Sequence, residues 1–107
     1  MSASRIRIAA ASFPLYLGAM RQIKLSGREQ AVIRNIDYAS GSSGQEIHER
    51  TQIDGSDLAD ILNGLCDVGY VETFPATERI NYLNYAALRF EVNPSYALEL
   101  KTAMRRS

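Results

Sequence analysis

Among the 107 residues there are one cysteine, one histidine, three prolines and no tryptophan. A single thiol excludes an intramolecular disulfide framework and any cysteine cluster around a metal. The only histidine, His48, lies among Glu46, Glu49 and Arg50, so neither a Ser–His–Asp arrangement nor a multi-histidine ligand set can be built on it. No apolar run approaches the ~20 residues that cross a bilayer. Arg5 and Arg7 ahead of Ile8–Met20 imitate the start of an export signal. Ser12 and Pro14 interrupt that stretch, however, and no small-residue cleavage site follows it. The glycines never assemble into a phosphate-cradling loop with a trailing Lys. Asp54, Asp57 and Asp60 stand three residues apart, whereas a calcium loop alternates its ligands every second residue. These absences predict a cytoplasmic single domain that is no enzyme and holds neither cofactor nor metal.

What is present is an uneven distribution of charge. The 12 Lys and Arg balance the 12 Asp and Glu, for a net charge of zero. Residues 1–44 nevertheless carry +4, residues 45–78 carry −7 and residues 79–107 carry +3, counted from the same sequence. An acidic centre between basic flanks narrows the choice of partner.

Three helix starts can be read directly. Ser26-Gly27-Arg28-Glu29 and Ser43-Gly44-Gln45-Glu46 are capping boxes, in which a serine hydroxyl and a glutamate three residues later satisfy each other's backbone amides. The first opens a helix whose buried face includes Ala31, Val32, Ile33, Ile36 and Tyr38, ending in a loop at residues 39–44. The second opens a short helix through Ile47 to about Thr51. Asp54 caps a third helix, with Asp57 against its N-terminal dipole and Leu58, Ile61, Leu62, Leu65 and Val68 as its core stripe. Gly69 stands where a left-handed residue ends it.

The hydrophobic period then falls from 3.6 to 2. Tyr70–Phe74 reads as a strand stopped by Pro75, residues 75–84 as a long turn or wing, and Leu88–Val92 as a returning antiparallel strand. Asn93-Pro94 caps a last helix to about Met104 that buries Ala97, Leu98, Leu100 and Met104. Arg5–Ile8 alternates like a short strand, and Leu15–Leu25 fits a helix or an extended arm. Phe13, Leu15, Tyr16 and Leu17 form an apolar patch that either docks on the core or joins a second copy. Tyr82 and Tyr85, set among Asn81 and Asn84, fit either an interface or a cover for the sheet edge.

The order helix, short helix, turn, helix, hairpin resembles the winged-helix domain of bacterial regulators. The resemblance rests on Gly44–Ile47, Thr51–Asp54, Leu58–Leu65 and the Gly69-Tyr70-Val71 exit from the third helix, and it spans residues 26–93. It implies an α+β fold of three packed helices and a two-stranded antiparallel wing, with residues 1–25 as an N-terminal arm or helix and 94–107 as a C-terminal helix. It implies DNA binding with the third helix in the major groove, and a homodimer joined through the terminal segments. Ser56, Asp57, Asp60 and Asn63 are then the groove residues, with Asn81 on the wing and Arg28, Arg34 and Arg79 on phosphates.

The outward positions of the third helix (Ser56, Asp57, Ala59, Asp60, Asn63, Gly64, Asp67) contain no cation, although duplex affinity rests largely on Lys and Arg. The competing expectation is a protein-interaction adaptor whose acidic third helix contacts a basic partner. Cys66 is expected to be a half-buried structural thiol, and His48 a solvated surface side chain.

Overall fold

The computed structural model describes residues 23–105. The expected arm therefore lies outside the described residues except for its last three positions, of which Ile23 is buried and Leu25 packs against the core.

Both capping boxes form. Ser26 Oγ accepts from the Glu29 amide at 3.2 Å while Glu29 Oε1 accepts from the Ser26 amide at 2.8 Å, starting α1, Gly27–Arg34. This helix is shorter than its apolar pattern suggests. Asn35 Nδ2 donates to the Ala31 carbonyl at 2.7 Å, a side-chain bond in the place of a helical one. Ile36 is still buried, but Tyr38 is exposed and carries Lys101 Nζ 4.8 Å above its ring.

The segment expected to be only a loop contains a strand. Asp37 Oδ1 accepts from the amides of Ala39 and Ser40, which holds its carboxyl below the usual range and turns the chain. Gly41 follows at φ +76°, so close to the sheet that a Cβ would stand 2.7 Å from the Phe90 carbonyl oxygen. β1, Ser42–Ser43, then pairs antiparallel with Phe90 and Arg89. Ser43 also caps α2, Gly44–Thr51, so one residue serves both the ladder and the helix start.

Gln52 closes α2 in the left-handed region at φ 59°, and Asp54 Oδ2 accepts from the Ser56 amide to open α3, Gly55–Asp67. Leu58, Leu62 and Leu65 are buried as the spacing requires, and Ile61 packs partly against the core. Val68, expected to complete the stripe, is instead an exposed C-cap. Gly69 at φ +91° and the Tyr70 amide, which bonds the Leu65 carbonyl at 3.0 Å, reverse the chain into β2, Val71–Phe74.

β2 pairs with β3, Arg89–Val92, in the register Val71 to Val92 through Phe74 to Arg89. With β1 on its other side, β3 is the centre of a three-stranded antiparallel sheet ordered β1-β3-β2, one strand more than the expected hairpin. Phe90 is central for this reason, and it lies fully buried with Val32, Ile33, Ile47, Leu58, Leu62 and Leu100.

Asn93 caps a 3₁₀ turn, Pro94–Tyr96, that runs into α4, Ala97–Arg105. Leu100 enters the core, and Ala97 and Met104 pack partly against it. Leu98 sits two residues before Leu100, on the opposite side of the helix, and is exposed rather than buried.

Candidate nucleic-acid interface

Residues 75–88, between β2 and β3, lie along α3. The Ile80 amide donates to Asn63 Oδ1 at 2.9 Å and Asn63 Nδ2 donates to the Ile80 carbonyl at 2.7 Å. Five residues on, Tyr85 begins a 3₁₀ turn, Tyr85–Ala87, with its carbonyl against Gly44 and its ring over Gly55. A Cβ on Gly55 would stand 2.8 Å from Tyr85 Cε1, so small residues at both helix starts make the cradle for this tyrosine. The covered stripe of α3 is therefore Gly55, Ala59 and Asn63, one residue per turn.

Two residues expected to face outward are buried. Ala59 is 2% exposed and Asn63 is 7% exposed, and both polar atoms of the Asn63 amide are spent on one peptide group. Asn63 thus positions the wing and does not project toward a groove. His48 belongs to the same assembly. Its Nδ1 donates to the Ile53 carbonyl at 2.7 Å and its ring meets Tyr85 edge-on at 6.0 Å, so it is a half-buried packing residue and not a solvated one.

The exposed flank of α3 presents Ser56, Asp57, Asp60, Gly64 and Asp67. Arg28, from α1, reaches the start of this flank, with Nη1 3.2 Å from Asp57 Oδ2. Arg79 stands at the other end, 4.0 Å from Asp67 Oδ2. All four of these side chains are more than half exposed, so the pairs neutralise locally and contribute little stability. Arg34 points elsewhere and donates to the Met104 carbonyl on α4 at 3.3 Å. The structure thus brings Arg28, Ser56, Asp57 and Asp60 together at the start of α3, sets Arg79 at its end and turns Asn63 inward. Asn81 lies in the wing, where its Oδ1 accepts from the amides of Leu83 and Asn84.

Residues 23–105 contain all 12 Asp and Glu but eight Lys and Arg (12 less Arg5, Arg7, Arg21 and Arg106), a net of −4. Arg89, which charge counting would offer to phosphate, instead donates to the Ser40 and Gly41 carbonyls and fixes the turn before β1. The Cys66 thiol is half-buried, and burial, with Asp67 and Glu72 nearby, pushes its pKa up to about 11. It is protonated and unreactive at neutral pH. Among the described residues no three His, Cys, Asp or Glu side chains gather as a metal site, and no helix is long and apolar enough to cross a membrane.

No protein-family model matches the chain, and neither does any curated protein. Among solved structures it is similar to the multiple antibiotic-resistance repressor (MarR) from Listeria monocytogenes 4b F2365, with a TM-score of 0.63 at 20% identity. The likeness covers 78% of this chain and 53% of the repressor, so the chain spans about half the length of that protein. The fold is an α+β winged helix. In winged-helix terms α2 and α3 are the helix-turn-helix, and residues 75–88 between β2 and β3 are the wing.

Proposed function

We propose that this chain is a non-catalytic winged-helix module that binds DNA in the manner of a transcription regulator, as a cytoplasmic homodimer joined through the segments flanking residues 26–93. The observation that carries this reading is the solvent-exposed start of α3. Ser56, Asp57 and Asp60 stand free of the wing there, at the end of a recognition helix that meets base edges, with an arginine beside them. The similarity to a repressor structure supports the same assignment.

The acidic flank defines how such a module reads DNA. A carboxylate accepts a hydrogen bond from the exocyclic amine of cytosine, and Arg28 offsets the repulsion between Asp57 and the backbone. With Arg28 and Arg79 as the phosphate contacts on this face, non-specific affinity is weak and its salt dependence shallow.

Fluorescence anisotropy with random duplexes across a salt series tests this reading. Binding weakens as salt rises, and Arg28→Ala or Arg79→Ala each reduces the slope of log affinity against log salt by about 1. No detectable binding at ~50 mM salt refutes the reading. The uniformly anionic flank Asp57, Asp60 and Asp67 then favours the second one, an adaptor that docks a basic protein segment.

A further inference from the structure

The last turn of α3, strand β2 and the first residues of the wing border an open cleft of about 330 Å³. It lies at the opposite end of α3 from Ser56 and Asp57. Val71, Ala76 and the Cys66 thiol supply its apolar lining, and Glu72, Thr73, Thr77 and Asn93 its polar lining. A volume of that size admits a molecule of about ten non-hydrogen atoms.

The polar side chains are one-sided in what they offer. The hydroxyls of Thr73 and Thr77 both donate to the Pro75 carbonyl, at 3.1 and 2.9 Å. Their protons are committed, and each oxygen is left with lone pairs to accept. Asn93 is engaged at both ends of its amide: Nδ2 donates to the Gly69 carbonyl and Oδ1 accepts from the Ser95 amide. The Cys66 thiol stays protonated, because burial and the charges of Asp67 and Glu72 push its pKa up to about 11. Among the described residues Glu72 has no partner of opposite charge. Directly across the ladder stands Glu91, and Arg79 of the wing is turned to Asp67 at 4.0 Å. Like charges opposite each other on a sheet are destabilising, so a cation that enters beside Glu72 relieves this pair. An ammonium group has three donors and no acceptor, which complements one carboxylate and two accepting hydroxyls. A carboxylate ligand meets like charge and no free hydroxyl donor.

We propose that this cleft binds a small primary amine, with the ammonium group on the Glu72, Thr73 and Thr77 side-chain oxygens and the hydrocarbon body against Val71, Ala76 and Cys66. The site is independent of the DNA-binding reading, since it uses neither the exposed start of α3 nor Arg28.

The test is an amide NMR titration of the full chain with benzylamine, benzyl alcohol and benzoate, which share a ring and differ in the head group. Benzylamine produces saturable shifts centred on the Cys66, Thr73 and Thr77 amides, with the millimolar-range affinity that so few atoms allow. The alcohol and the benzoate bind at least about tenfold more weakly, because neither makes the charge-assisted bonds. Glu72→Gln weakens benzylamine about tenfold for the same reason. Ala76→Leu, at an exposed position, fills the cleft and abolishes the shifts without altering any charge. Unchanged amide spectra away from the cleft establish that both variants fold. Equal binding of the three ligands overturns the selection for an amine, and shifts that persist in Ala76→Leu overturn the placement. Shifts centred on Asp57 and Asp60 assign the amine to general attraction by the anionic surface and overturn the site. So does the absence of any saturable shift with benzylamine.

Discussion

The flank of α3 beneath the wing carries Gly55, Ala59 and Asn63, and the flank beyond it carries Ser56, Asp57, Asp60, Gly64 and Asp67. Neither belongs to the leucine stripe, but one is covered, by the Tyr85 ring at Gly55 and the Ile80 peptide group at Asn63, and the other meets water. The covered flank uses a glycine where the Tyr85 ring lies close, a buried alanine one turn on, and a single amide where a peptide group needs a partner. An amide both donates and accepts, so Asn63 satisfies the Ile80 N–H and C=O together, which a carboxylate cannot do. Carboxylates are confined to the flank where water solvates them, because burying one without a partner is costly. The wing therefore reads size and hydrogen-bonding capacity on α3, and charge is left to whatever meets the other side.

The sharpest way to break the covered side is Gly44→Ala. The new methyl runs into the Tyr85 carbonyl, a backbone atom that cannot swing aside, and the expected loss is about 2–3 kcal/mol. At Gly55 the obstacle is the Tyr85 ring, whose Cε1 is 2.8 Å and Oη 2.9 Å from the position of a Cβ, and a ring can rotate. Gly55→Ala therefore costs less than Gly44→Ala in urea denaturation. Equal losses would mean that the wing as a whole shifts and that the cradle is not rigid.

Asn63→Ala removes the clamp without adding bulk. It strands one buried N–H and one buried C=O of Ile80, for a cost of about 1–3 kcal/mol. Hydrogen exchange localises the effect, with the Ile80 amide losing protection while the Leu62 and Phe90 amides keep theirs. Uniform loss of protection would show that wing and core unfold as one unit.

This clamp also marks the boundary of what the sequence makes legible. The caps at Ser26, Ser43 and Asp54, the leucines of α3 and the turn at Gly69 are local signals, each complete within a few residues, and each forms as read. The inward turn of Asn63 depends on a segment that returns from beyond β2, which a helical projection of α3 does not contain. β1 has the same origin. Two serines carry little strand preference, and they become a strand because β3 arrives beside them with Phe90 and Arg89. His48 looked solvated among charged neighbours because Tyr85 and the Ile53 carbonyl, which occupy it, reach it through the turn and the wing. The candidate site divides in the same way. Ser56, Asp57 and Asp60 lie where the helical period puts them, while Arg34 was assigned by its charge and is drawn to the end of α4.

The open flank gives the smallest effect, and one of opposite sign. Gly64 lies inside α3, and a Cβ there would meet nothing within 4 Å. The residue is not required by a turn, a close approach or a positive φ, so its main consequence is the extra freedom it gives the unfolded chain. Gly64→Ala should stabilise the fold by about 0.5–1 kcal/mol, read as a higher urea midpoint with an unchanged slope. The same substitution at Gly44, against the Tyr85 carbonyl, is destabilising, so the pair Gly44→Ala and Gly64→Ala maps which side of the helix-turn-helix is closed. Gly64→Ala also probes the open side for function, since a methyl there sits between Asp60 and Asp67 on the face proposed to meet DNA. If α3 enters a groove closely, the variant gains stability and loses duplex affinity. If it gains stability and keeps full affinity, the α3 face is not seated against DNA, and the binding belongs to the arginines and the wing.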